Sequence, residues 1–227
     1  MNSPPLSLAL STAFPQHPRL TCSFWGDHFA RRLAHLASED SPLLPPPHFF
    51  AECTPPLEQA VSPLRESLTQ FLQSPDDRDP VSTIAPILAE QPLDQVLLLL
   101  GQRRTPASLT DERAIPPTYA ELFTAANLAA SEADRLSVAG RAFTKHAARH
   151  PDPWWGSPTG GSEEKNQQAQ SILQRILSTP TWWNVFGHYQ HQIVFEVRCP
   201  EGYGARWGND GKELIGFLEP FDETKGA

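Results

Sequence analysis

The sequence predicts an α+β protein, with a mainly helical body of five to seven helices and a small C-terminal three-stranded antiparallel meander. Three observations carry that reading. Apolar residues recur every three or four positions through most of residues 57–177, the repeat of a helix with one buried face. After Pro180 the period falls to two, in HQIVFEVR, as in a half-buried strand. Two turn tetrapeptides, PEGY and GNDG, then cut the remainder into strand-length runs. No internal repeat is visible. The chain is expected to hold a flexible proline-rich leader over 1–23, a single α+β domain over 24–220 and a tail over 221–227.

Taken in order, a first helix is expected over Asp27–Ser38, with Asp27 as cap and Phe29, Leu33 and Leu36 on one face. The run SPLLPPPHFF then breaks regular structure, because consecutive prolines remove amide donors and fix φ. Leu57, Val61, Leu64, Leu68 and Phe71 step by four and three, but Pro63 lies inside that stripe. Ser62 as cap and Pro63 at the first helical position favour a start at Pro63. Asp79-Pro80 opens a short helix carrying Val81, Ile84, Ala85 and Leu88, and Pro92–Leu100 reads as a buried helix stopped by Gly101. Thr118 and Glu121 make a capping box for the helix TYAELFTAANLAASE. In LSVAGRAFTKHAARH, Leu136, Ala139, Phe143 and Ala147 share one face and Arg141, Lys145 and Arg149 another, with His146 near the middle of the apolar face. Ser162 caps the next helix, whose buried side is Ile172, Leu173, Ile176 and Leu177. In the meander, Ile193, Phe195 and Val197 face one way and Val194, Glu196 and Arg198 the other. Tyr203, Ala205 and Trp207 oppose Arg206 on the following strand.

The composition narrows the function classes. Apolar residues at 39% are few for a globular chain, and 24 prolines are about twice the usual share, so long irregular connections surround a modest core. A net charge of −8 and a pI near 5.4 argue against nucleic acid and anionic membrane as partners, since both attract a positive field. The three cysteines, Cys22, Cys53 and Cys199, are scattered and form no disulfide framework or zinc motif. No apolar run is long enough to span a membrane, and the N-terminus lacks the basic start of a signal peptide. The expected location is the cytoplasm, with the nucleus as the other possibility, and no cofactor or metal is expected.

The ordered string AGRAFTKHAARH, WWG, GSEEKNQQAQSILQRIL and TWWNVFGHYQHQIVFEVRCPEGYGARWGNDGKELIGFLEP resembles an uncharacterised family of fungal proteins. That family carries a Lys-His pair in the helix, a Trp-x-Asn-Val turn and an E-x-R…GYGARW…GFLEP end, and the resemblance covers residues 114–220. Its members continue into an acidic tail with His and Trp, where this sequence ends in DETKGA. The resemblance implies a fungal, intracellular protein and supplies no reaction.

The candidate ligand-binding residues are Arg206, Arg198, Glu196, Trp207, Tyr203, His146 and His188. Alternation places Glu196 and Arg198 on one strand face, and Arg206 joins them across the hairpin. Two guanidinium forks make a clamp for carboxylate or phosphate. The structural alternative is a cross-strand ion pair that neutralises a polar face. His188 and His191 form H-x-x-H, but at strand spacing and with no evident third ligand, which speaks against a metal site. His146 reads either as a core histidine or as an acid/base group. Cys199 lies at a strand end beside Pro200, away from any helix N-terminus that would activate it. Gly202-Tyr203-Gly204 sits in a hairpin and suits close packing better than phosphate binding. The Trp154, Trp155, Trp182, Trp183, Tyr203 and Trp207 set could line an apolar pocket or pack the sheet on the helices. The Arg141, Lys145, Arg149 stripe suits an acidic partner or a solvated face. No nucleophile–base pair can be assembled, so the favoured reading is a non-enzymatic protein that binds a small acidic ligand or a protein partner. The alternative is an enzyme or accessory factor of fungal small-molecule metabolism, with Arg206 anchoring an acidic group.

Overall fold

The structure, a computed structural model, describes residues 47–48, 51–73, 90–131, 135–149, 151–190 and 192–221. The helices expected over Asp27–Ser38 and after Asp79-Pro80, and His191, fall outside the described residues, as do the leader and residues 222–227 of the tail. The chain divides into two compact units. One takes in Cys53–Arg104 and Thr110–Thr118, and the other Pro47–Glu52, Thr105–Leu109 and everything from Tyr119 onward.

In the first unit, α1 spans Glu58–Gln73 and α2 spans Leu93–Leu99. The expected start of α1 at Pro63 is wrong, because the helix begins one turn earlier. The amides of Ala60 and Val61 donate to the Leu57 carbonyl, and Leu57, Ala60, Val61 and Leu64 are all buried. Burying those side chains outweighs the one backbone bond that exposed Pro63 cannot make. Helix α2 matches expectation. Leu93 and the run Val96–Leu100 are buried, and Gly101 ends it at φ +100°. Arg104 donates to the Asp94 carbonyl at 2.5 Å.

The second unit contains α3 (Tyr119–Asn127), α4 (Val138–Arg149) and α5 (Ser162–Ser178), followed by β1 (Trp182–His188), β2 (Gln192–Arg198), β3 (Gly204–Gly208) and β4 (Glu213–Leu218). Ser137 caps α4, accepting from the Gly140 amide at 3.0 Å. Gly140 lets α4 lie against α5, since a Cβ there would collide with the Asn166 amide. Asn166 in turn accepts from the Ser137 amide at 2.9 Å. The cap of α5 is Gly161, one residue ahead of expectation, and its amide donates to Glu164 at 2.9 Å.

The protein is therefore α+β, with five α-helices among the described residues. Its sheet has four antiparallel strands in the order β1-β2-β3-β4, where three were expected. The additional strand is β1. It reads as an aromatic junction in the sequence because its first four residues are all buried, which erases the alternation of a half-exposed strand. Its outer edge is covered by Thr105–Leu109: the Leu109 amide donates to Val185 and the Gly187 amide to Ala107, at 2.9 and 3.0 Å. One face of the sheet, with Trp183, Val185, Phe195, Val197, Ala205, Trp207 and Phe217, packs on α3, α4 and α5. The other face carries Asn184, His188, Glu196, Arg198 and Arg206.

Candidate functional site

The polar face of the sheet centres on Glu196, which is 1% exposed. Register places Glu196 directly between Asn184 of β1 and Arg206 of β3. Both carboxylate oxygens are engaged. Oε1 accepts from Arg198 Nε at 2.7 Å, and Oε2 accepts from Arg206 Nε and Nη2 at 2.9 and 2.6 Å. Two buried or half-buried cations thus share one buried anion, which leaves this cluster with one cation in excess. Arg206 Nη1 also lies 3.1 Å from His188 Nε2. An arginine only donates, so Nε2 is the unprotonated nitrogen and the ring proton sits on Nδ1. On the other side of the ring the Gln190 amide points at Nδ1 from 3.2 Å.

Arg198 reaches beyond this cluster. Its Nη1 donates to the carbonyls of Gly202 and Glu219, at 2.7 and 2.8 Å. That second bond anchors the backbone just past β4, at the residue whose carboxylate faces α4. Glu219 Oε1 stands 3.2 Å from His146 Nε2 on α4, an ion-pair distance with angles outside hydrogen-bond geometry. His146 is held from another side by the edge of Trp155, 4.5 Å between ring centres. The two facing atoms are buried, and their residues border a cleft of about 300 Å³ between α4 and β4, lined by Lys145, His146, Arg149, Gly216, Phe217 and Glu219. Lys145 and Arg149 are exposed, one helical turn apart, and make a basic rim. A histidine against a carboxylate, beside two exposed cations, can hold an anionic group and move a proton next to it.

The structure thus gathers Glu196, Arg198, Arg206 and His188 on one face and puts His146 in the cleft at its edge. It does not bring Trp207 or Tyr203 to either place. Trp207 lies on the opposite, helix-packed face, wholly buried, with Nε1 donating to the Leu122 carbonyl at 3.3 Å. Tyr203 stacks on Trp154 at 4.2 Å and donates to Asp152 at 2.6 Å, a bond that holds the phenol up at about 12. The far side of Trp154 is covered by the Arg175 guanidinium at 4.2 Å. Arg175 also pairs with Glu201 at 2.8 Å, and a hydrogen bond from Cys199 and this pairing hold the Glu201 carboxyl down at about 2. Trp155, Trp182 and Trp183 are buried in the packing of the sheet and the helices. Burial pushes the Cys199 thiol up to about 11 and leaves it inert. Glu219 went unnoticed in the sequence, since nothing local marks it as the partner of a residue 73 positions earlier. Among the described residues, no three His, Cys, Asp or Glu side chains gather as a metal site, and no helix is long and apolar enough to cross a membrane.

Residues 125–219, about two fifths of the chain, match the family model described as the CdiA C-terminal tRNase toxin domain. The match takes in α4, α5, the whole sheet and every residue lining the cleft. No curated protein and no solved structure matches the chain. That family match overturns the expectation of a non-enzymatic binder of a small ligand or protein, and with it the metabolic alternative and the fungal assignment. It also overturns the exclusion of nucleic acid. That exclusion relied on a charge averaged over the chain. Residues 125–219 hold ten acidic and nine basic side chains, whereas the rest holds sixteen and nine. The matched segment is nearly neutral, and four of its nine cations, Lys145, Arg149, Arg198 and Arg206, stand at the cleft or on the sheet face.

Proposed function

We propose that residues 125–219 form a ribonuclease domain that cleaves tRNA, with the cleft between α4 and β4 as its active centre. The observation that carries this reading is His146 facing Glu219 at 3.2 Å in a cleft rimmed by Lys145 and Arg149, all inside the matched span. RNA brings its own nucleophile, the 2′-hydroxyl, so such a site needs no nucleophilic side chain. Lys145 and Arg149 take the scissile phosphate and offset the charge that builds on it. His146 accepts the 2′-hydroxyl proton as the O2′–P bond forms, and the imidazolium so produced is stabilised by Glu219. The P–O5′ bond breaks, the 5′ oxygen takes a proton from water, and a 2′,3′-cyclic phosphate remains. Arg198 acts at a distance, by holding the Glu219 backbone. A cytoplasmic location, expected from the sequence, suits a tRNA substrate.

The test is to incubate the full chain with tRNA in the presence of EDTA and to analyse the fragment ends. Cleavage giving 2′,3′-cyclic phosphate and 5′-hydroxyl ends supports the reading. Intact tRNA, or fragments with 5′-phosphate ends, would overturn it.

A further inference from the structure

We infer that the turn between β1 and β2 carries a second RNA subsite, in which one unpaired nucleobase stacks on Tyr189 and Arg206 takes the neighbouring phosphate. The inference rests on the ribonuclease reading and deepens it, naming single-stranded RNA as the form of substrate that this face engages.

Tyr189 is 89% exposed, far more than any other large aromatic among the described residues. A lone exposed ring is ordinary on a protein surface, and what points to a ligand here is what surrounds it. The ring is not isolated. It lies nearly parallel to His188, 26° between planes and 4.7 Å between centres. His188 contacts Arg206 at 3.1 Å, and Arg206 is pinned by Glu196 through two bonds. Glu196, Arg206, His188 and Tyr189 form a continuous series from the buried sheet to the solvent. A platform held in this way loses little conformational freedom when a base lands on it.

The charge fits the same occupant. Glu196 neutralises one of its two arginines, so the cluster retains one cation in excess, and Arg206 stays 22% exposed on its side chain. Arg206 also lies over the Phe186 ring, 5.8 Å from its centre, which keeps the guanidinium beside the aromatic ground of β1. An aromatic platform beside a guanidinium is how single strands are held, because every base offers a π face and every linkage a phosphate. A duplex offers the phosphate but hides the base face.

The test uses the full chain carrying His146→Ala, so that RNA is not cut, and a fluorescein-labelled oligoadenylate, with a perfectly paired RNA duplex as comparison. Anisotropy should show that Tyr189→Ala weakens binding of the single strand roughly 5- to 150-fold, the range for loss of one stacked base. Tyr189→Trp should restore it, and duplex binding should change little. Circular dichroism on both variants checks that each is folded. Equal single-strand affinity with and without Tyr189, or an equal loss for duplex and single strand, would overturn the inference. The ribonuclease reading fails separately: a chain that leaves tRNA intact yet binds oligoadenylate through Tyr189 sinks that reading and keeps the platform.

Discussion

Arg198 donates from Nη1 to the backbone carbonyl of Glu219 at 2.8 Å, and so joins the buried cluster of the sheet to the carboxylate that faces His146. The same guanidinium binds Glu196, and neither side chain is more than 6% exposed. Arg206 still neutralises Glu196 when Arg198 is gone, so removing Arg198 strands acceptors and not a charge: Glu196 Oε1 and the carbonyls of Gly202 and Glu219, each at about 1–3 kcal/mol. Arg198→Met should therefore lower stability by a few kcal/mol in urea unfolding. Glu196→Gln, which leaves two guanidiniums with no counter-charge, should cost more. A smaller loss for Glu196→Gln than for Arg198→Met would show that the cluster is not organised on the carboxylate.

Lys145 and Arg149 stand exposed on the rim, one turn apart on α4. Their role as phosphate contacts predicts a loss of RNA affinity independent of base sequence. Each should also remove about 0.7–0.9 from the slope of log affinity against log salt. Titrations of tRNA binding at several salt concentrations, for Lys145→Ala, Arg149→Ala and the double variant, read this directly. An unchanged slope in the double variant would exclude the rim from the interface.

Glu201 supplies a pH dependence. The Cys199 hydrogen bond and the Arg175 pairing hold its folded-state carboxyl at about 2, below the ordinary value of 4.5. A depressed carboxyl stabilises the fold fully above its unfolded value, and that share is lost as the pH falls from about 4.5 towards 2. Thermal melting of the native chain should drop more steeply across this window than melting of Glu201→Gln. Glu201 is 46% exposed on its side chain, so solvent screens the interaction and the difference should be small. Parallel curves for the two proteins would remove Glu201 from the acid response.

How much of this was written in the sequence differs from residue to residue. The pairing of Glu196 with Arg206 followed from alternation and hairpin length alone, because a strand period of two fixes which side chains share a face. Strand β1 was hidden by burial on both of its faces, where Trp183 and Val185 meet the helices and Thr105–Leu109 covers Asn184. The start of α1 was misplaced because a local rule about Pro63 was weighed without the burial of Leu57 and Val61. His146 was legible as a candidate, but its partner was not. Glu219 reaches it only through the docking of α4 along β4, a long-range contact that no local pattern encodes. The net charge misled for a related reason, as it sums residues that the fold keeps apart.

The claim that His146 transfers the proton in RNA cleavage is tested most directly by single-turnover cleavage of tRNA with the native chain and His146→Ala. Loss of a positioned general base predicts a rate lower by about 10²–10⁴, with tRNA affinity and melting temperature close to those of the native protein. A His146→Ala chain that cuts tRNA at the native rate would contradict the account.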